Sequence, residues 1–517
     1  MQLIELDEYI RELRDGGRND KKDTIRTIVD VHEKEAWAPV VRYLSGEVAS
    51  DSGVGKKTVI ECYGNASIPV STQEFEDLVG KNGTVTEAGK QVFSETGQVM
   101  AEQFTKDITI ESVEDLHNEL NYVLNSSGNK QKRELTRLLS ETDRHYLVAF
   151  ALLNDWKTGV TSTTIANAMG EKAGAEKEEI ERARALEPDP VVFVDMCQLG
   201  YFEDMLNVVP GIPFEPMKAK SESHLGSMLE ESAAIYAEPK LDGYRCIIHV
   251  TDMGVDAYTR KMKPLTESLP ELQDIEWPDG EYVLDCEVMA SDGSFNTTSE
   301  MVGSNQERDL GDHNEHVKFH LFDILYDSTM PKQDVSKKTY EKRRAGLTLL
   351  MRRLQDSDYV EMVRAFGFAD TKDPLQDAVQ YARDNDLEGV IVKNGLEEYK
   401  FGKRSKAWCK KKITETTVDL EIGGFKPGEG DNAGSLGAVE LYTSEGTYVG
   451  NVGNGFTDEE RDEIWENRSE YEGVVVEVTG EGLGSNNEIR FPRVERLRTE
   501  DGEADRFYRV KELMEDV

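Results

Sequence analysis

The sequence predicts a multidomain protein: an all-α domain comes first, an α+β domain follows, and an all-β barrel comes last. Three observations predict this order. Apolar residues recur at helical spacing in the first part, short β-branched segments follow, and strands joined by Gly-rich turns end the chain. The 517 residues also exceed the ~250–300 at which single cores stop growing. We place the domains at residues 1–215, 216–414 and 415–517.

Helical spacing is clearest in the second half of the first domain. Ser112 is suited to be the N-cap of a helix, because Asp115 follows three residues later and an apolar series continues at a helical period. That series consists of Val113, Leu116, Leu120 and Val123. A second helix is indicated by Leu135, Leu138 and Leu139, and a third apolar run spans residues 146–156.

The segment before the second helix reads SSGNKQKR and places Lys130, Lys132 and Arg133 beside small residues. Amide groups at the start of a helix, with cations next to them, suit a nucleic-acid phosphate. A solvated helix end explains the same residues, so both interpretations stay open.

The later domains are read from their strands. Residues 216–414 contain YRCIIHV, EYVLDCEVMA, VKFHLFDILY and EGVIVK between Gly and Asp/Asn turns, a pattern that predicts antiparallel strands in an α+β domain. From about residue 415, VDLEIGGF, GAVELYT, TYVGNVG and GVVVEVTG predict a small closed barrel, and an OB-type barrel fits this length. Residues 426–437, KPGEGDNAGSLG, are expected to form a hairpin loop.

Composition limits the class of protein. No apolar run approaches the ~18–20 residues that span a bilayer, and the N-terminus lacks the basic and apolar stretches of a signal peptide. We therefore expect a soluble, cytoplasmic protein. The five cysteines are scattered and form no CxxC pair, which favours free thiols over a disulfide framework or a zinc site.

The formal net charge of −40 is unusual for a protein that binds phosphates. One explanation is an acidic surface that serves solubility around a local basic channel. The other is a halophilic cytoplasm, since at ~1 M salt the Debye length falls to roughly 3 Å and distant carboxylates barely oppose binding. We favour the halophilic explanation.

The segment from Glu238 to Arg245, EPKLDGYR, places Lys240 two residues before Asp-Gly. A lone KxDG occurs often by chance, but here an ordered set of companions follows. These are TR ending at Arg260, LDCE ending at Glu287, LFDILY with Phe322, EGVIVK beginning at Glu388, RSKAWCKKK with Arg404, Lys410 and Lys412, and RFPRVERLR with Arg490 and Arg493. Their order and spacing resemble the nucleotidyltransferase motifs of ATP-dependent DNA ligases, closest to the archaeal and eukaryotic replicative type.

The resemblance extends over about residues 110 to 510, since LLNDWKTGVTSTTIANAM and GIPFEPMKA look like the ligase DNA-binding domain and its junction. It implies that Lys240 is the nucleophile that takes AMP from ATP. Cationic neighbours and a divalent metal can lower the pKa of such a lysine. The first hundred residues match less clearly.

The resemblance also assigns tasks to the companions. Glu238 would accept a hydrogen bond from the adenine amino group, and Phe322 would stack on the purine. Glu287 would hold the ribose hydroxyls or a metal-bound water, and Glu388 would bind Mg²⁺. Phosphate contacts are implied for Arg245, Arg260, Arg404, Lys410 and Lys412.

Arg490 and Arg493 belong to the barrel and, by the resemblance, orient the pyrophosphate as it leaves. The segment departs from the family after Asp501, where Gly502 stands in place of the usual lysine. That difference puts one phosphate contact in doubt. Arg496 and Arg498 are explained as well by a basic strand of the barrel as by a role in the reaction.

Three rival hypotheses compete with that of a DNA ligase, which seals nicks in duplex DNA. An RNA ligase or capping enzyme shares the lysine motif, but the long helical domain and RFPR argue against it. NAD-dependent ligases usually carry a four-cysteine zinc site that is missing here, and a non-catalytic DNA-binding protein would not keep Lys240, Glu388 and Lys410.

We expect a monomer that acts on nicked duplex DNA in replication, repair and recombination. A sliding clamp is a further candidate partner, for which Gln103-Phe104 is the only hint.

Overall fold

The computed structural model describes residues 1–48, 53–103, 109–142, 144–303, 316–354, 357–367, 371–385, 387–412, 416–428, 432–480, 482–484, 486–498 and 503–515. The chain divides into two compact units, Met1–Asn207 and Val208–Val517. The second unit contains both the α+β region and the C-terminal sheet, so the predicted boundary at residue 414 stays a prediction.

The first unit is helical, as the sequence predicts. Its helices are α1 Leu3–Asp15, α2 Arg18–Val31, α3 Lys34–Ser45, α4 Lys56–Asn65, α5 Thr72–Asn82, α6 Val85–Gln103, α7 Val113–Leu124, α8 Gly128–Glu141, α9 His145–Leu153, α10 Ser162–Lys172, α11 Lys177–Leu186 and α12 Pro190–Leu199. They enclose one apolar core that includes the leucines of α8 and most of α9. Helix α9 is apolar all round and is buried on nearly every face, which is why its pattern reads as a continuous run.

Helix α7 confirms the predicted start at Ser112. The Ser112 side chain accepts a hydrogen bond from the backbone N–H of Asp115, and the four apolar residues of the series are buried. The predicted second helix is α8, in which the leucines at 135, 138 and 139 are buried. Because Lys132 pairs with Glu61 at 2.7 Å, part of the basic segment is engaged on the protein's own surface.

The second unit begins with two five-stranded sheets. Its first strands are β1 Lys218–Lys220, β2 Ile235–Lys240, β3 Tyr244–Thr251, β4 Gly254–Thr259, β5 Tyr282–Ala290, β6 Val317–Asp327, β7 Val360–Met362, β8 Phe366–Gly367, β9 Gly389–Asn394 and β10 Arg404–Lys412. One sheet has the order β1-β10-β9-β2-β8 and the other β4-β3-β5-β6-β7. The expectation of antiparallel strands holds for most pairs, while β1–β10 and β6–β7 are parallel.

Helices accompany these sheets, and the two sheets face each other across the site. The helices are α13 Leu225–Glu231, α14 Phe295–Val302, α15 Tyr340–Arg353 and α16 Pro374–Asp384. Lys393 Nζ on β9 donates a hydrogen bond to the carbonyl oxygen of Phe322 on β6 at 3.3 Å. The strand ends that carry the motif residues therefore meet between the sheets.

The C-terminal strands form a third sheet that is antiparallel throughout and has the order β13-β12-β11-β14-β15. Its strands are β11 Thr416–Pro427, β12 Leu436–Tyr442, β13 Tyr448–Val452, β14 Val475–Gly480 and β15 Arg493–Arg498, with helices α17 Asp458–Glu466, α18 Arg468–Tyr471 and α19 Phe507–Glu515. A bridge between Asn454 and Arg493 brings the two edges together, as a barrel requires. The predicted hairpin joins β11 to β12.

Two expectations from composition are answered directly. All five cysteines are free thiols. Among the described residues, no helix is both long enough and apolar enough to span a bilayer.

Candidate active site

Sheet register gathers the predicted residues of β2 and β10 on one face. Lys240 on β2 and Lys412 on β10 both pair with Gly389 of the strand between them, β9. Glu238 on β2 and Lys410 on β10 both pair with Ile391 of β9. Side chains of directly paired residues point to the same side of a sheet. Glu238, Lys240, Lys410 and Lys412 therefore line one surface.

Lys240 is the last residue of β2, and Glu388 immediately precedes β9. The Lys240 ammonium contacts the Glu388 carboxylate, and the two side chains are 23% and 10% exposed. Burial lowers the pKa of Lys240 to about 8, against the opposing charges of Glu287 and Asp242. The predicted cationic influence is present in Lys410 and Lys412, but burial contributes more than either charge.

Steric crowding explains why glycine stands at position 243 of the KLDG motif and at position 389 of the EGVIVK motif. A Cβ on Gly243 would lie 2.3 Å from the carbonyl oxygen of Val288, and one on Gly389 would lie 2.2 Å from that of Lys411. Both strands therefore approach their neighbours too closely for any side chain at these positions.

Glu287 lies in the middle of β5, opposite Arg245 on β3. Burial raises the pKa of Glu287 to about 7, although the charges of Arg245 and Lys240 favour its ionised form. A carboxyl group with this pKa can accept a proton near neutral pH. Its position beside the lysine fits the predicted role at the ribose or a metal-bound water.

Arg245 is held by protein groups on all sides. Its guanidinium forms two hydrogen bonds with Asp285, at 2.9 and 2.6 Å, and also donates to Tyr399 Oη and to the carbonyl oxygen of Met217. The guanidinium carbon lies 5.5 Å from the centre of the Phe322 ring. Arg245 thus supports the wall behind Phe322, and its predicted phosphate contact stays a prediction.

Phe322 lies between the two sheets and is only partly buried. Its ring meets Trp408 edge-on, with the centroids 6.0 Å apart. Lys393 Nζ lies 4.8 Å from the centre of the Phe322 ring and 4.4 Å from that of Trp408. An aromatic ring that is partly open and supported from behind is suited to stacking on a purine.

Glu238 is almost completely buried, with 2% of its surface exposed. Lys393 Nζ lies 2.6 Å from its Oε2, and the Tyr340 hydroxyl donates a hydrogen bond to its Oε1. Arg344 Nη1 is 3.5 Å from the same Oε1. The residue predicted to read adenine is therefore an acceptor held by two donors, Lys393 and Tyr340, with the Arg344 guanidinium nearby.

Arg260 and Arg404 mark the exposed rim of the site. Burial, with the charges of Arg245 and Arg404 next, lowers the pKa of Arg260, which shows that the three guanidinium groups influence one another. Arg404 begins β10 and donates to the carbonyl oxygen of Ala219 at 3.3 Å. A concentration of cations with so few carboxylate partners is suited to phosphate.

The two arginines of the RFPR segment are placed differently. Arg490 Nη2 lies 3.5 Å from Asp242 Oδ2, two residues from Lys240, and its guanidinium carbon lies 4.2 Å from the centre of the Phe295 ring. Arg493 is 68% exposed and pairs with its neighbour Glu495 at 3.7 Å. Of the two, Arg490 is the one that reaches the motif of Lys240. Arg496 and Arg498 pair with Glu477, which favours a structural role for them.

No preformed metal cage accompanies these groups. Within the described ranges, no three His, Cys, Asp or Glu residues are grouped so that they could hold a metal ion by themselves. Glu388 and Glu287 nevertheless bring carboxylate oxygens to Lys240. Such a donor set fits Mg²⁺, which commonly binds one or two carboxylates together with substrate phosphates.

Comparison with known proteins agrees with this geometry. The family model described as the ATP dependent DNA ligase domain matches residues 216–412, and that of the DNA ligase OB-like domain matches residues 427–498. The two matches follow each other in this order and cover just over half of the chain. The chain belongs to the ATP-dependent DNA ligases.

Relatives of this ligase extend the similarity to the helical unit. The DNA ligase of Methanobrevibacter smithii is 26% identical over 487 residues, covering 87% of this chain and 86% of that protein. DNA ligase 1 of Korarchaeum cryptofilum is 26% identical over 555 residues, covering 100% of this chain and 98% of that protein. The solved structure called Pmar-Lig_PreS3 shares the fold, with a TM-score of 0.60 and 18% identity over 95% of this chain and 98% of that one.

Several residues of the ligase site were not predicted from the sequence. Lys393 stands within the quoted EGVIVK segment without a role, and Tyr340, Arg344, Trp408 and Asp285 were not singled out for one. A lysine inside an otherwise apolar strand is a usable signal, because lysine is almost never fully buried unless it is paired. Phe104, half of the proposed clamp-binding hint, lies outside the described residues.

Proposed function

We propose that this ligase seals nicks in duplex DNA through a covalent Lys240–AMP intermediate, in replication, repair and recombination. The observation that carries the proposal is the half-buried Lys240 amine, whose pKa is lowered to about 8 beside two carboxylates. At pH 7 roughly a tenth of such an amine is neutral, whereas an ordinary lysine with a pKa near 10.4 is almost entirely protonated. Only the neutral amine can attack phosphorus.

In the first step, neutral Lys240 Nζ attacks the α-phosphorus of ATP. The new N–P bond replaces the bond to the bridging oxygen, and pyrophosphate leaves. Lys410 and Lys412, on the same sheet face, supply positive charge to the phosphates, and Arg490 is placed to orient the leaving group. Mg²⁺, held by Glu388 and Glu287 together with phosphate oxygens, would neutralise charge at the reacting centre.

The following steps use the same site with DNA as the second substrate. The nick 5′-phosphate takes AMP from Lys240, and the 3′-hydroxyl then attacks that phosphate and releases AMP. Exposed or half-exposed cations at the rim, including Lys218, Arg260, Arg404 and Lys406, offer a local basic surface in an otherwise acidic protein. Contacts with DNA phosphates would bind the duplex there without reading its sequence.

The enzyme's surroundings belong to the same proposal. We infer that the enzyme works in a high-salt cytoplasm, because a net charge of −40 would repel DNA at low ionic strength. We further propose that it is a monomer and that it is associated with the nucleoid. A sliding clamp is a candidate partner by analogy with the family alone.

The test is covalent labelling. The full chain is incubated with α-labelled ATP and Mg²⁺, separated on a denaturing gel, and then given nicked DNA. Lys240→Ala should lose the label entirely, yet should seal a nick that already carries AMP. Lys411→Ala is the matched control, because Lys411 lies on β10 between Lys410 and Lys412 and pairs with Glu222. A label that persists on Lys240→Ala would refute the assignment.

A further inference from the structure

We propose that Tyr399 is a positioning residue of this ligase, whose hydroxyl group holds Arg245 in place behind Phe322, the ring on which the purine of ATP would stack. The inference rests on the proposed function, since it concerns the nucleotide that labels Lys240. Tyr399 acts through Arg245 and Phe322 without touching the nucleotide itself.

The Tyr399 hydroxyl joins three remote segments of the chain. It donates a hydrogen bond to Asp285 Oδ2 at 2.6 Å, and it accepts one from Arg245 Nη2 and one from the backbone N–H of Met217, both at 3.0 Å. A hydroxyl has one donor and two acceptor positions, so all of them are used. Burial, followed by the charge of Asp285, raises the pKa of Tyr399 well above its ordinary value, so the hydroxyl keeps the proton that it donates.

Arg245 is fixed by the same group of residues. Its Nε and Nη2 donate to Asp285 at 2.9 and 2.6 Å, and its Nη1 donates to the carbonyl oxygen of Met217 at 2.6 Å. A guanidinium has five N–H groups, and with the bond to Tyr399 four of them are used within the described part of the chain. The one that remains is too few for the bidentate contact that arginine commonly makes with phosphate.

The fixed guanidinium supports two aromatic rings of the site. Its carbon lies 5.5 Å from the centre of the Phe322 ring and 5.6 Å from that of Trp408. The Tyr399 ring also meets Trp408 edge-on, with the centroids 5.6 Å apart. A ring that is held in place before the nucleotide arrives loses less freedom on binding, so its contact with the purine is stronger.

Loss of the Tyr399 hydroxyl should therefore act on nucleotide binding. Arg245 would keep Asp285 and the carbonyl oxygen of Met217, so its hold on Phe322 would be loosened rather than abolished. The attack of Lys240 on phosphorus does not use the purine face. We therefore expect weaker binding of ATP at an almost unchanged rate of chemistry.

Single-turnover self-labelling of the full chain tests this inference. With Mg²⁺ and a series of concentrations of α-labelled ATP, it gives a half-saturating concentration and a limiting rate. Tyr399→Phe should raise the half-saturating ATP concentration by roughly three- to tenfold, a part of what a stacked base contributes. Its limiting rate should stay within about twofold, as expected when only binding is lost. A general loss of structure would instead lower the amount of labelled protein.

A matched control is provided by Tyr282→Phe. Tyr282 begins β5 and, like Tyr399, is fully buried, but its hydroxyl donates to the carbonyl oxygen of Asp279 at 2.6 Å. The same atom is removed from a buried tyrosine, away from Arg245. This variant should keep the half-saturating ATP concentration of the unmodified chain.

A second variant shows whether Tyr399 acts through Arg245. Arg245→Lys keeps a positive charge opposite Asp285 but loses the planar fork that bonds to Tyr399. It should also raise the half-saturating ATP concentration. Adding Tyr399→Phe to it should have little further effect, because two residues that act through one contact are not additive.

Three outcomes would overturn the inference. The first is a half-saturating ATP concentration that Tyr399→Phe leaves as Tyr282→Phe does, and the second is a limiting rate that falls instead. The third is a double variant in which the two effects multiply. If Tyr399→Phe does not fold, Arg245→Lys decides, since a fall in its limiting rate alone contradicts the inference. An unmodified chain that takes no label would refute the proposed function itself.

Discussion

The two ends of one short segment, Glu238 and Lys240, lie two residues apart on β2 and have opposite surroundings. Glu238 is 2% exposed, and its carboxylate is held by Lys393 and Tyr340, with Arg344 Nη1 3.5 Å away. Lys240 keeps 23% of its side chain exposed, and its ammonium contacts the Glu388 carboxylate. The difference matches the roles proposed for them: recognition of a base needs a fixed acceptor, and nucleophilic attack needs an amine that can lose its proton.

The same contrast separates two lysines of the site, Lys393 and Lys240, by their accessibility to a substrate. Lys393 and Lys240 are both shifted to lower pKa by burial. Lys393, however, is surrounded by three aromatic rings and paired with Glu238, so no substrate can reach it without dismantling the pocket. Lys240 stands at the end of its strand, where its amine is accessible.

The largest effect on this contrast is expected from Glu388→Ala, which removes the partner of Lys240. Self-labelling should fall by about a hundredfold or more, the usual cost of losing a group that stabilises charge in the transition state. Raised Mg²⁺ should restore part of the activity at most. The measurement is the single-turnover labelling rate, with Glu222→Ala as the control because that carboxylate pairs with Lys411 instead. An unchanged rate would remove Glu388 from the site.

Solution pH should act on Lys240 next most strongly. Since only the neutral amine attacks, and the pKa of Lys240 is about 8, the labelling rate should rise about tenfold per pH unit below 8 and level off above it. Sealing of a nick that already carries AMP should lack this dependence, because the lysine has finished its task. If both reactions follow the same profile, the lysine is not the group being titrated.

A smaller effect is expected from the barrel. Arg490→Ala and Arg493→Ala should slow labelling by roughly tenfold, and should slow sealing of pre-adenylated DNA less, because pyrophosphate is present only in the first step. Arg496→Ala serves as the control, since Arg496 forms an exposed pair with Glu477. Equal losses on both substrates would mean that these arginines act through DNA binding or folding.

The smallest effect per interaction is expected from salt, and salt should leave the buried carboxylate of Glu238 unaffected. KCl screens repulsion among surface carboxylates, so the melting temperature should rise steadily with KCl and sealing should persist near molar KCl. The difference in melting temperature between the unmodified chain and Lys393→Met should stay constant across the KCl series. The reason is that the ion pair between Lys393 and Glu238 is buried and therefore shielded from dissolved ions. An optimum near 50 mM with sealing lost by about 0.5 M would contradict the halophilic hypothesis.

Most of the fold could be predicted because its signals are local. The Ser112 cap and the leucines of α8 determine their helices through contacts within a few turns, and the strands of the later domains alternate over short runs. The parallel pairs β1–β10 and β6–β7 were not predicted, since their partners are far apart in the sequence. No local pattern specifies which distant strand will lie alongside.

The sequence by itself determined the reaction class, because the motif residues keep their order and spacing, and it predicts Lys240 as the nucleophile. Only the tertiary structure decided how each charge is used. Burial sets the lowered pKa of Lys240, register places Lys410 and Lys412 beside it, and α15 brings Tyr340 to Glu238 across a separation of 102 residues. Desolvation and pairing depend on what surrounds a group in space, and those surroundings are assembled from segments that are remote along the chain.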